Sequence, residues 1–165
     1  MYQITNKMDT YDEFSKAKYV ACIYLARRMH TKSEMYNKLI KKEYTPEICE
    51  KTIEALIELG YINDVDYVER YTKDATNLKK HGINRIRRDL KQKGIDEETI
   101  DKTISELDIE NSEILAKLVE QKADRLDLKD IKQKNRLIGF LLRRGYKYDE
   151  IFNAIREYCD NKGEI

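Results

Sequence analysis

Apolar residues recur every three or four positions along almost the whole chain, and that pattern itself recurs every 51 residues. Residues 39–56 read LIKKEYTPEICEKTIEAL, 90–107 read LKQKGIDEETIDKTISEL and 141–158 read LLRRGYKYDEIFNAIREY. Leu39, Leu90 and Leu141 fall in register without a gap, as do Tyr44, Ile95 and Tyr146, then Cys49, Ile100 and Ile151, then Ile53, Ile104 and Ile155. The short period marks amphipathic helices. The long one marks a repeated helical unit whose copies bury faces that none could bury alone.

Within the first copy, Phe14, Ala17, Ala21, Leu25 and Met29 predict a helix over 12–30, with Tyr19, Val20, Ile23 and Tyr24 widening its stripe until the middle is nearly enclosed. Thr31-Lys32-Ser33-Glu34 is a capping box that starts a second helix, running to about Lys42. Thr45-Pro46 supplies an N-cap with proline at the first helical position. The third helix turns Ile48, Cys49, Ile53, Leu56 and Ile57 inward and ends at Gly60. The second copy begins at Asn63 or Asp64 as cap, with Val68, Tyr71, Ala75 and Leu78 inward; Ile83, Ile86 and Leu90 follow Gly82, and Ile100, Ile104 and Leu107 follow Asp96. The third uses Ile114, Leu115, Leu118 and Val119, then Leu137, Ile138, Leu141 and Leu142, then Ile151, Ile155 and Tyr158, and its first helix has no clear boundary in 108–130. Gly94 and Gly145 share one turn position that calls for positive φ, and Glu43 stands there in the first copy, so its turn must differ or carry strain. The expected fold is all-α: an elongated array of three tandem three-helix repeats, about nine helices. The boundaries are an N-terminal tail 1–11, repeats at 12–60, 61–108 and 109–160, and a C-terminal tail 161–165.

Composition fits this class. One proline and six glycines leave little to make hairpins, and 38% charged residues suit a large exposed surface. The net charge is only +1, but it is segregated. Residues 27–42, 78–93 and 129–144 carry +5, +6 and +5, while 43–60, 94–111 and 145–162 carry −4, −6 and −1. Either these helix faces are solvated and attract one another, or one helix per repeat meets a phosphate backbone or an acidic protein groove. Arg85, Arg88 and Lys91 lie opposite the apolar side of the middle basic helix, flanked by Arg87 and Lys93. Three outward cations at helical spacing suit phosphate or carboxylate. The equivalents are Glu34, Asn37 and Ile40 in the first copy and Arg136, Gly139 and Leu142 in the third, so the stripe is not copied intact. The candidate binding face adds Arg27, Arg28, Lys38, Lys41 and Lys42 from the first basic window, and Arg143 and Arg144 with Arg136 from the third.

No catalytic constellation is legible: the chain has no P-loop, GxGxxG, HExxH or GxSxG. His30 and His81 hold one place in successive repeats, where Lys132 stands in the third, so a turn or capping role is expected over a metal or acid–base one. Cys22, Cys49 and Cys159 form no ligand set and predict buried, reduced thiols of a cytoplasmic protein. No apolar run approaches the roughly 18 residues that span a bilayer. No enzyme, cofactor, metal or membrane contact is expected.

The combination resembles the RecX family. Leu25-Ala26-Arg27-Arg28 with Glu34 and Lys38-Leu39 carries the likeness, as does Leu59-Gly60-Tyr61-Ile62-Asn63-Asp64 with Tyr67, Val68 and Tyr71. The most specific stretch is Gly82 with Arg85-Ile86-Arg87-Arg88 and Leu90-Lys91-Gln92-Lys93-Gly94-Ile95, and Leu141-Leu142-Arg143-Arg144-Gly145-Tyr146 closes it. It spans about residues 15–158, departing at Glu43, where the family has glycine, and at Asn63, where it has aspartate. The resemblance implies a curved nine-helix array that lodges in the groove of the filament of RecA recombinase on DNA. It further implies a protein that lowers RecA ATPase and strand exchange, by blocking filament growth or promoting disassembly, and has no catalytic residues; a monomer is expected from the gapless register and the high charge. Weak direct binding of single- or double-stranded DNA is compatible with the charge segregation, although +1 opposes strong non-specific affinity. Two other readings stand beside it: a stand-alone nucleic-acid-binding helical module, and a generic helical protein-interaction scaffold.

Overall fold

Capping chemistry places the helix boundaries. In the computed structural model, which describes residues 4–107, 109 and 111–162 with side chains from residue 12 onward, the Thr31 hydroxyl accepts the Glu34 N–H at 3.0 Å and Glu34 reaches back to the Thr31 N–H. The Thr45 hydroxyl accepts from Ile48, Asn63 Oδ1 from Val65 and Asp66, Asp96 from Thr99, and Asp130 from Lys132. Each cap satisfies backbone donors that a helix start leaves unpaired. Among the described residues nine helices and no strand result: α1 Ile4–Leu25, α2 Lys32–Ile40, α3 Pro46–Glu58, α4 Asp64–Asn77, α5 Ile83–Gln92, α6 Glu97–Glu106, α7 Asn111–Ala123, α8 Ile131–Arg143 and α9 Tyr148–Lys162.

The helices form two compact units, Met1–Val68 with Lys91–Ile100, and Glu69–Leu90 with Asp101–Ile165, so the middle repeat contributes to both. In the first, α1 packs on α2 and α3 around Ala17, Ala21, Met35, Leu39, Cys49 and Leu56. The Thr31 hydroxyl also donates to the Lys93 carbonyl at 2.7 Å, and the Lys32 N–H to Asp64 at 3.0 Å. A Cβ on Gly94 would collide with the Ser33 side chain. In the second, α9 packs on α7 and α8 around Leu115, Val119, Leu137, Leu141, Ile151 and Ile155. Here the Gly82 N–H donates to the Arg144 carbonyl at 2.8 Å, and a Cβ on Gly82 would lie 2.6 Å from the carbonyl carbon of Gly145.

Several inward assignments need correction. Helix α1 begins at Ile4, inside the stretch expected to be a tail, and stops at Leu25, leaving Met29 in the following turn. Helix α9 likewise runs to Lys162; residues 163–165 of the expected C-terminal tail lie outside the described residues. Tyr19 and Ile23 are 69% and 42% exposed, because they stand two residues on from Ala17 and Ala21 and so face away from α2 and α3. Leu78 is 77% exposed because α4 ends one residue before it, and Ile57 is exposed at the flank of α3. Leu142 is 43% exposed; it holds the register position of Lys91 and of the exposed Ile40, which faces outward in every copy. The buried positions missed on α4 are Tyr67, Thr72 and Thr76; the threonine hydroxyls keep the sequence looking polar. The three cysteines are free; Cys49 is buried, whereas Cys22 and Cys159 are only half-buried at the core edges.

The turn at Glu43 does not differ from the others: φ is 67° at Glu43, 78° at Gly94 and 92° at Gly145. The first copy therefore carries the strain, since a Cβ in the left-handed region costs about 1–2 kcal/mol. Glu43→Gly should stabilise the protein by about 0.5–1 kcal/mol, part of the relief being offset by the greater freedom of glycine in the unfolded chain. Chemical denaturation of parent and variant measures this; a destabilised variant would show that the Glu43 side chain holds the turn.

Candidate partner-binding surface

The cations chosen from the sequence divide into those that tie the fold together and those that remain unpaired. Arg28 Nη1 and Lys93 Nζ each approach the Glu34 carboxylate at 2.9 Å, one on each oxygen. Glu34 sits at the first turn of α2 with its side chain only 19% exposed, and the Lys93 ammonium also lies over the Tyr67 ring. Burial by itself raises the Glu34 carboxyl, but the hydrogen bonds and charges of Arg28 and Lys93 outweigh it and hold its pKa down at about 2. Arg28 and Lys93 thus serve an internal ion-pair network, with Glu34 as a hub absent from the sequence-based set.

The middle basic helix is likewise engaged. Arg87 pairs with Asp101 at 2.9 Å and Lys91 with Glu97 at 2.7 Å, so in this repeat basic and acidic helices attract one another. Arg85 does not project freely: its Nη1 donates to the Arg143 carbonyl at 3.2 Å and its Nε lies 3.8 Å from Asp89. Arg144 donates to the Lys79 carbonyl and stacks on the Phe140 ring at 4.8 Å. Lys38 lies 4.4 Å from the Tyr24 ring centre. By contrast, Arg27, Lys41, Lys42, Arg88, Arg136 and Arg143 are exposed and their side chains have no ion pair among the described residues.

Two of these, Arg136 and Arg143, converge with Lys122 and Arg125 around an open groove of about 400 Å³ floored by Leu126, Leu137 and Phe140. Lys122 and Arg125 were missed because they lie in 108–130, where the sequence gives no helix boundary from which to assign faces. His30 fills a turn role, its Nδ1 2.9 Å from the Arg28 carbonyl. Burial lowers the basicity of both His30 and His81, and neighbouring arginines lower it further. No group of His, Cys, Asp and Glu side chains that could hold a metal occurs among the described residues, and no described helix is long and apolar enough to cross a membrane.

Three-helix repeats bearing unpaired surface cations define an all-helical repeat protein, and comparison with known proteins gives its relatives. The first, second and third three-helix domains of RecX match residues 17–56, 63–104 and 108–155 in order. The regulatory protein RecX of Clostridium botulinum is 33% identical over 150 residues, spanning 88% of this chain and 70% of its own. That of Clostridium perfringens is 33% identical over 155 residues, spanning 92% and 72%. The crystal structure of RecX from Lactobacillus salivarius has a TM-score of 0.79 at 29% identity, over 89% of this chain and 97% of that one. The chain belongs to the RecX family of regulatory proteins.

The Glu34 network has a definite pH signature. A carboxyl whose folded pKa is depressed stabilises fully above its unfolded pKa, and that contribution is lost as pH falls toward the folded value. Glu34→Gln keeps a side chain competent for the capping box but removes the charge. It should cost about 1–3 kcal/mol at neutral pH, and the gap from the parent should close as pH falls from about 5 toward 2. Urea denaturation across that range measures it; a gap independent of pH would remove the ion pairs from the account.

Proposed function

We propose that this protein regulates the RecA recombinase, binding its filament on DNA as a cytoplasmic monomer and lowering ATPase activity, strand exchange and filament growth. The supporting observation is the family match across all three repeats, together with the unpaired cations that its basic windows leave at the surface. The charges fit a partner that presents phosphates or acidic side chains, since exposed cations steer such a partner and are screened over about 8–10 Å near physiological ionic strength. The role is non-enzymatic: binding shifts the filament, and no bond is made or broken by this chain. Direct DNA contact is secondary, because the chain's net charge is +1. Arg88, Arg136 and Arg143 are the cations to test, being exposed and outside the internal ties. Their joint reversal to glutamate should leave the helical circular-dichroism spectrum intact while weakening co-sedimentation with RecA filaments and suppression of RecA ATPase about tenfold or more, two or three such charges commonly contributing at least that much. Added salt should weaken the parent in the same direction. A folded triple variant that suppresses the ATPase as well as the parent does would sink this surface.

A further inference from the structure

The 51-residue register aligns two sites whose charges differ in sign at one position. Arg28, Glu34 and Lys93 in the first site correspond to Lys79, Arg85 and Arg144 in the second. In the first, two cations share the carboxylate between them, each at 2.9 Å. In the second the flanking cations are kept and the carboxylate is replaced by a third cation. Arg144 donates to the carbonyl of Lys79, and Arg85 to that of Arg143 at 3.2 Å, so neutral carbonyls accept where the carboxylate would. Asp89, one helical turn along from Arg85, receives the Tyr71 hydroxyl at 2.9 Å and lies 3.8 Å from Arg85 Nε. Among the described residues no ion pair or hydrogen bond joins it to Lys79 or Arg144, and it offsets only one of the three charges. His81 stands in the same field, with its Nδ1 buried and unpartnered, and Lys80 adds a further cation.

We infer that the cluster of Lys79, His81, Arg85 and Arg144 binds a phosphate group, whose oxygens take the place that the Glu34 carboxylate holds in the first repeat. Guanidinium carries five N–H donors, and each arginine here commits few of them to carbonyls, leaving planar forks for an external acceptor. Phosphate suits better than carboxylate, because its several acceptor oxygens can meet separate donors and its charge approaches the excess that Asp89 leaves. The Arg85 side chain is 39% exposed, so the site is open to solvent. The inference draws on the recombinase reading only in expecting a partner that carries phosphates, and it is tested without the recombinase.

The test is nuclear magnetic resonance of the full chain, following the His81 ring and the arginine Nε–H signals during titration with inorganic phosphate at constant ionic strength, with chloride as control. A saturable shift at His81, Arg85 and Arg144 is expected. Arg85→Glu should weaken it about tenfold or more, while melting no lower than the parent in phosphate-free buffer, because the new carboxylate reproduces the internal pairing of the first repeat. Arg85→Gln should weaken binding without that pairing and serves if Arg85→Glu does not fold. A single-stranded oligonucleotide that displaces phosphate assigns the site to a nucleic-acid backbone; phosphate binding that the oligonucleotide leaves untouched assigns it to a free phosphate. No saturable shift in the parent beyond that of chloride, or equal shifts in parent and variants, overturns the site. Since RecA ATPase suppression is measured separately, that failure would leave the recombinase reading standing.

Discussion

The carbonyl just before a turn glycine is the contact on which both units depend. Lys93 and Arg144 hold equivalent places, and each carbonyl is captured by the residue that opens the basic helix of the preceding repeat. Thr31 does this with its hydroxyl at 2.7 Å and Gly82 with its N–H at 2.8 Å. A helix end leaves carbonyls without partners, so a donor from the neighbouring repeat satisfies a group that burial would otherwise penalise. The approach is close enough to exclude a Cβ at Gly82, where the carbonyl carbon of Gly145 would be 2.6 Å away. At Gly145 glycine is therefore demanded twice, by the positive φ and by the backbone nitrogen of Arg85, 2.4 Å from where a Cβ would lie.

Charge is arranged around these contacts in two different ways. Where the preceding helix opens with Glu34, the junction closes electrostatically and its cations are consumed. Where the equivalent position is Arg85, carbonyls, the Phe140 ring and Asp89 one turn away receive the cations. A chain of net charge +1 thus keeps one part locally cationic by placing its compensating acids elsewhere, on α6 for example. The two copies differ by this asymmetry: one supplies an ion-paired tie, and the next sets cations together with no shared carboxylate.

Most of the fold was legible in the sequence because its signals are local. The capping box at Thr31, the Asp96 cap, the Thr45-Pro46 start and the left-handed Gly60, Gly94 and Gly145 each act within a few residues. The misses arise where a neighbour decides. Nothing local distinguishes Ala17 from Tyr19 until α2 and α3 cover one side of α1, and nothing local shows that α4 stops before Leu78. The candidate site was less legible still. Helical periodicity identifies which cations leave the core, but pairing partners 59 to 65 positions away, as for Lys93 with Glu34 and Arg144 with Lys79, lie beyond any local pattern. The register nevertheless carried a usable signal, since Glu34 and Arg85 are aligned opposites.

Native-state hydrogen exchange at the Gly82 amide tests this junction most directly, because that N–H donates to the Arg144 carbonyl. If the junction holds its unit together, Gly82 should exchange as slowly as the amides of the α7 and α9 cores, opening only with cooperative unfolding of that unit. Gly145→Ala, which forces a Cβ against Arg85, should then speed exchange at Gly82 and through both helices together. Exchange of Gly82 in the parent at the rate of an exposed turn, with α7 and α9 still protected, would contradict the account.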